Sequence, residues 1–347
     1  MDEDREACTH DILVVGGSAG AVEATRSLAA RLPADLPAAV FVAIHRSSEG
    51  PAYLADLLGA AGPLPALPAS EGMPVQRGHI YVAPPDHHLL VGRDHVHVRR
   101  GPKENRTRPA IDPLFRSAAV NATTRVIGLL LSGSLDDGTA GLLAIRRCGG
   151  VAVVQDPKDA RFGEMPASAI ANGAVDHVGR LAELPDLLAR LTRYPCPGPV
   201  DPPEELRMEA LIAAQELRMK PDNHRLGKVS SLTCPECHGA LTEIDDQGFL
   251  RFRCHTGHAY SAESLRSSQA DAWERALYDA LRAQEEQLLL LRKMALDARS
   301  RGQQGHAQGY ETRAQSYEEG VQIIRSLLVD NGPRVASDDF ATADGLD

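Results

Sequence analysis

Ser18 stands in GGSAG, between an apolar run and a helix-like stretch, with Gly16 and Gly20 on either side of it. That small-x-Ser-x-small spacing suits a sharp strand-to-helix turn, in which bulkier neighbours would collide and the hydroxyl is presented at the carboxyl edge of a sheet. Glycine-rich turns also bring pyrophosphate to a helix N-terminus in nucleotide-binding folds. Here no G-x-G-x-x-G is present, because Ser18 takes the place of its second glycine, and no Gly-Lys-Ser/Thr follows. His45 closes the run VFVAI where a ribose would want an acid, and the adjacent Arg46 leaves a 2′-phosphate reading, hence a nucleotide-binding oxidoreductase, as an alternative. A third apolar run, VIGLLL, leads into SGSLDDG and the acidic pair Asp136 and Asp137.

Residues just past the carboxyl ends of neighbouring parallel strands converge on one crevice. Ser18, His45 and an aspartate of that pair meet the condition. A serine hydroxyl attacks poorly until a base takes its proton, imidazole suits that task near neutral pH, and a carboxylate can fix the imidazole's tautomer. Ser18, His45 and Asp137 can fill these roles, and their order along the chain does not matter to a triad defined by geometry.

A second group lies in TCPEC and RFRCHTGH: Cys234-x-x-Cys237, sixteen intervening residues, then Cys254-x-x-x-His258. Thiolates and imidazole suit tetrahedral Zn²⁺, and short knuckle spacings let two hairpin ends close on one ion. His255 competes with His258 as fourth ligand. A redox Cys-x-x-Cys is the alternative, but that pair normally accompanies a βαβ unit and needs no third cysteine or histidine. Four protein ligands leave no open position, so the expected Zn²⁺ stabilises a fold and activates no water. Gly239, Asp245, Asp246 and Gly248 supply turns, with Phe249 and Phe252 packing the miniature sheet. Cys8, Cys148 and Cys196 are scattered, which favours a metal site in a reducing compartment over a disulfide scaffold.

The elements that must carry these residues are legible. From Asp11 to Tyr194, ILVV, VFVAI, HIYVA, VIGLLL, VAVV and VDHV alternate with helix-like stretches, the pattern of an α/β fold with a doubly wound, mainly parallel sheet. The proline-rich PCPGPVDPPEEL reads as a linker. The expected organisation is an esterase-like domain over 10–194, linker and helix over 195–230, a zinc-ribbon-like module over 231–260, an antiparallel helical hairpin over 261–330 and a disordered tail over 331–347. With 347 residues, 43% of them hydrophobic, the chain is long enough for such cores. Its formal net charge of -10 argues against general nucleic-acid affinity, and the charged first residues and strand-sized apolar runs against a signal peptide or membrane span, so a cytoplasmic location is expected.

GGSAGAVEA, VAIHRS, YVAPPDHHLLV, RPAIDPLF, LSGSLDDGTAGL and VVQDPKDARFGEMPASAI occur in the order and about the spacing of one known catalytic domain. Over roughly residues 10 to 193 the sequence resembles the CheB-type chemotaxis protein-glutamate methylesterases. The resemblance implies hydrolysis of glutamate γ-methyl esters on chemoreceptor helices, often with deamidation of glutamines, and no cofactor for catalysis. It places the triad on Ser18, His45 and Asp137, since Asp137 precedes the Gly138 that matches the family's Asp-Gly pair. Backbone N–H groups near Ala19 and Ser134 are the expected oxyanion donors, with Gly133, His88, Arg108 and Asp112 as structural or cleft-lining residues in matched motifs.

There are departures. The family commonly has Thr where this chain has Ala19, and Gly-Met-Gly where it has Gly133, Ser134 and Leu135. Two-component members carry a receiver ahead of the esterase, whereas about ten residues precede the first strand here, so control by an attached receiver is not expected. His79 reads as a packed or edge histidine, Met165 and Pro166 as packing residues. Arg99, Arg100, Lys103, Arg106 and Arg108 read as a solvated face, or more sharply as a surface steering an acidic receptor helix.

Beyond the cysteines, Trp273, Leu277, Ala280, Gln284, Leu288, Leu291 and Ala295 step by three or four, as do Tyr310, Ala314, Tyr317, Val321, Ile324 and Leu328. Two such helices predict a hairpin that packs on itself, forms a homodimer or docks on receptors at the membrane, with AQEEQ (283–287) a receptor-like stretch. A scaffold that recruits partners through the zinc and helical modules is the non-enzymatic alternative.

Overall fold

The structure is a computed structural model describing residues 8–46, 53–215 and 226–330. The tail expected to be disordered, 331–347, and 216–225 of the stretch expected as linker and helix lie outside them. The chain divides into two compact units, Met1–Arg266 and Ser267–Asp347.

In the first unit the chain runs β1 (Ile12–Gly17), α1 (Ala21–Ala29), β2 (Ala39–Ile44), α2 (Leu54–Ala61), β3 (Ala66–Pro68) and β4 (Ile80–Val82). A small hairpin, β5 (His88–Val91) and β6 (Val96–Arg99), precedes α3 (Ile111–Ala122), β7 (Val126–Leu130), α4 (Thr139–Arg147), β8 (Val151–Gln155), α5 (Glu164–Ala171), β9 (His177–Gly179) and α6 (Leu184–Leu191). Among the described residues the main sheet has seven strands, ordered β3-β4-β2-β1-β7-β8-β9 and all parallel. Its inner strands β4, β2, β1 and β7 are buried throughout because both of their faces are covered. Ile12 and Val14 point toward α3 and α4, while Leu13 and Val15 point toward α1, α2 and α6, the period-2 alternation of a strand. The chain leaves β1 toward β2 on one side and later returns on the other as β7. The order therefore reverses at β1, and a crevice opens beyond its carboxyl end.

From Pro195 to Pro203 the chain is irregular and mostly exposed, and the helix expected after it follows. That helix, α7 (Glu204–Ala213), sends Leu206 into the core under α3, where apolar burial outweighs the freedom of a solvated connection. Four antiparallel strands follow: β10 (Lys228–Thr233), β11 (Ala240–Asp246), β12 (Phe249–Cys254) and β13 (Ala259–Ser261). Phe252 packs this miniature sheet with Leu241 and Tyr260, as the sequence suggests, but Phe249 leaves it and joins the main core.

Two cysteines read as scattered meet. Cys8 and Cys196 form a disulfide, Cα atoms 5.5 Å apart across a separation of 188 residues, because Thr9 and Pro195 bridge antiparallel beside them. Cys148 is buried with a free thiol.

The second unit comprises most of α8 (Ala262–Ser300) and α9 (Gln304–Asp330). Leu291, Ala295, Ala314 and Val321 are buried between the helices, and Arg292–Glu318 (2.9 Å) and Arg325–Glu285 (2.7 Å) pair across them in antiparallel register. Trp273 and Ala280, expected in the apolar stripe, are exposed. No described helix is long and apolar enough to cross a membrane.

Candidate active site

The turn after β1 is held from below by the segment after β7. The Ser18 amide donates to the Ser132 carbonyl (2.9 Å), and the Ser132 hydroxyl donates to the Ala19 carbonyl (2.7 Å). Gly20 takes a left-handed φ of 77°, which lets the chain reverse into α1 without a side-chain clash. Because Ser18 N–H is already bonded, this turn lacks one of the free amides a phosphate loop would offer.

His45 emerges at the end of β2, its amide donating to the Gly17 carbonyl (3.0 Å). Its Nδ1 lies 3.1 Å from Ser18 Oγ and its Nε2 2.6 Å from Asp137 Oδ2. Asp137 is 3% exposed. Besides His45 it accepts from the Ile111 amide (2.7 Å), the Asp112 amide (3.1 Å) and Asn105 Nδ2 (2.9 Å). Burial works against its charge, but hydrogen bonds from His45, the Ile111 amide and Asn105 outweigh it and hold its pKa below the ordinary carboxylate value. An ionised carboxylate only accepts, so His45 carries its proton on Nε2 and turns a bare Nδ1 to the serine hydroxyl. The Thr107 hydroxyl also lies 3.2 Å from Nε2.

The three side chains open on a cleft of about 540 Å³, also lined by Arg46, Arg106, Arg108, Ser134 and Asp136. Gly133 sits where an added Cβ would lie 2.9 Å from Ser18 Cβ and 2.8 Å from Met165, and its amide donates to Phe162 (2.9 Å). Its part is therefore to admit Ser18, with no donor left over. The amides of Ala19 and Ser134 donate to no protein acceptor among the described residues.

Two residues expected near the cleft lie beneath it. Asp112 is buried, accepting from the Gly138 (3.0 Å) and Gly141 (2.7 Å) amides at the start of α4, where orphan N–H groups need an acceptor. Burial and the neighbouring Asp137 charge push its pKa well above the usual range. His88 is buried too, donating through Nε2 to the Pro102 carbonyl (2.8 Å) and accepting at Nδ1 from the Ala110 amide (3.3 Å), with its pKa lowered by burial. Arg108 does reach the cleft, bound to Asp86 (2.6 Å). Arg100 also pairs with Asp86 and Arg99 with Glu71, so much of the basic stretch is neutralised locally.

The CheB methylesterase family model matches residues 13–188, half of the chain. The chain belongs to the CheB methylesterase family. It is 36% identical over 189 residues to protein-glutamate methylesterase/protein-glutamine glutaminase 1 of Geobacter metallireducens, covering 53% of this chain and 52% of that one. It is 38% identical over 189 residues to protein-glutamate methylesterase/protein-glutamine glutaminase 5 of Anaeromyxobacter dehalogenans, with the same coverage. The chain thus spans about half the length of the curated relatives it matches. The crystal structure of the Thermotoga maritima CheB methylesterase catalytic domain is similar with a TM-score of 0.51 and 28% identity, covering 53% of this chain and 99% of that one.

The cysteine module lies beyond the CheB-matched residues. Cys234, Cys237, Cys254 and His258 bring one ligand atom each within 4.8 Å of all the others. Cys237 and Cys254 sulfurs are 3.6 Å apart, and His258 Nδ1 is 3.5 Å from Cys254 Sγ and 3.7 Å from Cys234 Sγ. A tetrahedron with arms of about 2.3 Å has edges of about 3.7 Å, so this donor set fits one Zn²⁺. His255 is exposed and packs over Gly239, apart from the four.

Asn105, Thr107 and Ser132 escaped the sequence reading. Asn105 sits inside a charge run taken as a solvated face, and none of the three belongs to a periodic pattern. The nearest signal is that RPAIDPLF starts three residues after Asn105.

Proposed function

We propose that this chain is a cytoplasmic serine carboxylesterase that hydrolyses glutamate γ-methyl esters on methylated receptor proteins, and deamidates glutamines at equivalent sites. The observation that carries it is the continuous relay from Ser18 Oγ through His45 (3.1 Å) to Asp137 (2.6 Å) at the mouth of a cleft. The names of the similar relatives, protein-glutamate methylesterase/protein-glutamine glutaminase, support the substrate class.

In this reading His45 Nδ1 takes the Ser18 proton as Oγ attacks the ester carbonyl, and the oxyanion rests on the Ala19 and Ser134 amides. His45 then returns the proton to the departing methoxide, giving methanol and an acyl-serine. Water enters, yields its proton to Nδ1 and attacks, releasing the glutamate and the serine hydroxyl. Asp137 stabilises the imidazolium throughout and stays ionised. No step calls for a cofactor. Methanol release from radiomethylated receptor membranes, compared between this protein and Ser18→Ala, tests the reading. Release should vanish in the variant; equal release from both would overturn it.

We further propose that Cys234, Cys237, Cys254 and His258 hold a structural Zn²⁺. The near-tetrahedral spacing of the four donors supports this, and full protein ligation leaves no place for an activated water. Elemental analysis should find about one zinc per chain and a marked loss in Cys234→Ser. Metal-free wild-type protein would sink the assignment.

A further inference from the structure

Beyond the two readings above, and resting on them, we propose that the Zn²⁺ site is a positioning element for catalysis, acting on Asp137 through Asn105. The connection is short and continuous. The metal-ligand turn from Cys254 to His258 leads directly into β13, and Ala259 there holds the segment before α3 through two backbone bonds. Its amide donates to the Lys103 carbonyl (3.3 Å), and its carbonyl accepts from the Asn105 amide (2.8 Å).

The Asn105 side chain is then fully specified. Its Oδ1 accepts from the Ser261 amide (2.9 Å) and the Ser264 hydroxyl (3.0 Å), both from the cysteine-module side. Its Nδ2 donates to Asp137 Oδ1 (2.9 Å) and Asp112 Oδ2 (2.9 Å), both on the triad side. One amide thus joins the last strand of the module to the carboxylate that orients His45. The arrangement is not the backbone's own preference: Asn105 and Arg106 both hold left-handed φ, at 47° and 71°, a pair that persists only where surroundings impose it.

The module's own apolar packing is slight, and its Arg253 donates to the Gly257 carbonyl (2.8 Å) and, outside the module, to Glu104 (2.9 Å). The small apolar cluster consists of Leu241, Phe252, Tyr260, Leu265 and two of the ligands themselves, Cys234 and Cys254. Sheets this small depend on their metal for a fixed geometry. Losing Zn²⁺ frees the Cys254–His258 turn, which frees β13, which releases Asn105 and deprives Asp137 of a donor. Asp137 then leaves more of its negative charge to the imidazolium, which moves the pH dependence of the reaction upward.

The test uses the full chain and a fluorophosphonate probe that phosphonylates Ser18, read as a second-order rate against pH, with metal content and far-ultraviolet circular dichroism measured on the same samples. Stripping zinc with a chelator should lower the rate at neutral pH at least about tenfold and raise the pH of half-maximal rate, with the main-sheet signal retained and zinc re-addition restoring both. Asn105→Ala, still zinc-loaded, should show the same two changes, and stripping it should add little more. A zinc-loaded protein whose rate and pH profile ignore stripping overturns this inference and leaves both earlier readings standing. Protein without stoichiometric metal overturns the zinc assignment and this inference together. Zinc-loaded protein whose Ser18 never reacts overturns the esterase reading, and this inference with it.

Discussion

His45 Nε2 stands 2.6 Å from Asp137 Oδ2, so the aspartate binds the ring nitrogen remote from the one facing the serine. The ring can do this because it leaves β2 one strand from Ser18, while Asp137 arrives from beyond β7 on β1's other flank. The imidazole spans the switch point. Asp137 in turn is locked by amides at the start of α3, so the imidazole inherits its orientation from a helix end.

Asp137→Asn keeps the shape but can donate toward Nε2, which favours the tautomer with its proton on Nδ1. Ser18 then faces a donor and loses its base. Methanol release should fall by about 10⁴ with the fold intact, the size seen when a triad carboxylate is neutralised. A loss under about tenfold would show that the tautomer is set elsewhere.

Gly133→Ala tests the closeness of the two loops. An added Cβ would lie 2.9 Å from Ser18 Cβ and 2.8 Å from Met165, in a region already packed. The variant should lose about 1–3 kcal/mol of stability and displace Ser18. Combining it with Met165→Ala should recover stability more than activity, because the Ser18 contact persists. Denaturant titration alongside fluorophosphonate labelling separates the two.

Glu209→Gln probes the ion network that joins α7 and the cysteine module to α3. Glu209 meets Arg116 (3.1 Å), Arg251 (2.9 Å) and Arg253 (3.2 Å), and Glu104 meets Arg116 (3.2 Å) and Arg253 (2.9 Å), all buried. Neutralising Glu209 leaves three guanidinium groups short of a counter-charge. A stability loss of about 3–5 kcal/mol is expected, visible as a lowered midpoint in thermal unfolding; an unchanged midpoint would mean the network relaxes or hydrates.

Asp136 carries a pH dependence of stability. Burial, and to a lesser degree the Asp137 charge, raise its pKa to about 6, against a partial opposing effect of the Ser261 hydroxyl bond. A carboxyl with a raised folded pKa binds more protons folded than unfolded between about pH 4 and 6, so its contribution to stability falls as pH rises through that window. Asp136→Asn removes the fall. Its advantage over the wild type should grow from pH 4, level off above about 6 and reach about 2–3 kcal/mol. Parallel unfolding curves for the two proteins across that range would refute the assignment.

The sequence by itself determined six of the seven described strands of the main sheet, their parallel direction and two sets of chemically suited residues. These are local signals. ILVV, VFVAI and VIGLLL read as strands from their own composition, and their ends hold Ser18, His45 and the Asp136–Asp137 pair because parallel strands start and stop together. The spacing of Cys234, Cys237, Cys254 and His258 is likewise contained in two short hairpin ends. Only the tertiary structure decided which nitrogen of His45 faces Ser18, that Asp112 and His88 lie under the cleft, and that Phe249 and Leu206 belong to the main core. It also decided the Cys8–Cys196 pair and the place of Asn105, whose carbonyl meets an amide 156 residues away. Such contacts leave no periodic mark, because a single hydrogen bond between distant loops constrains one residue at each end and nothing at their neighbours.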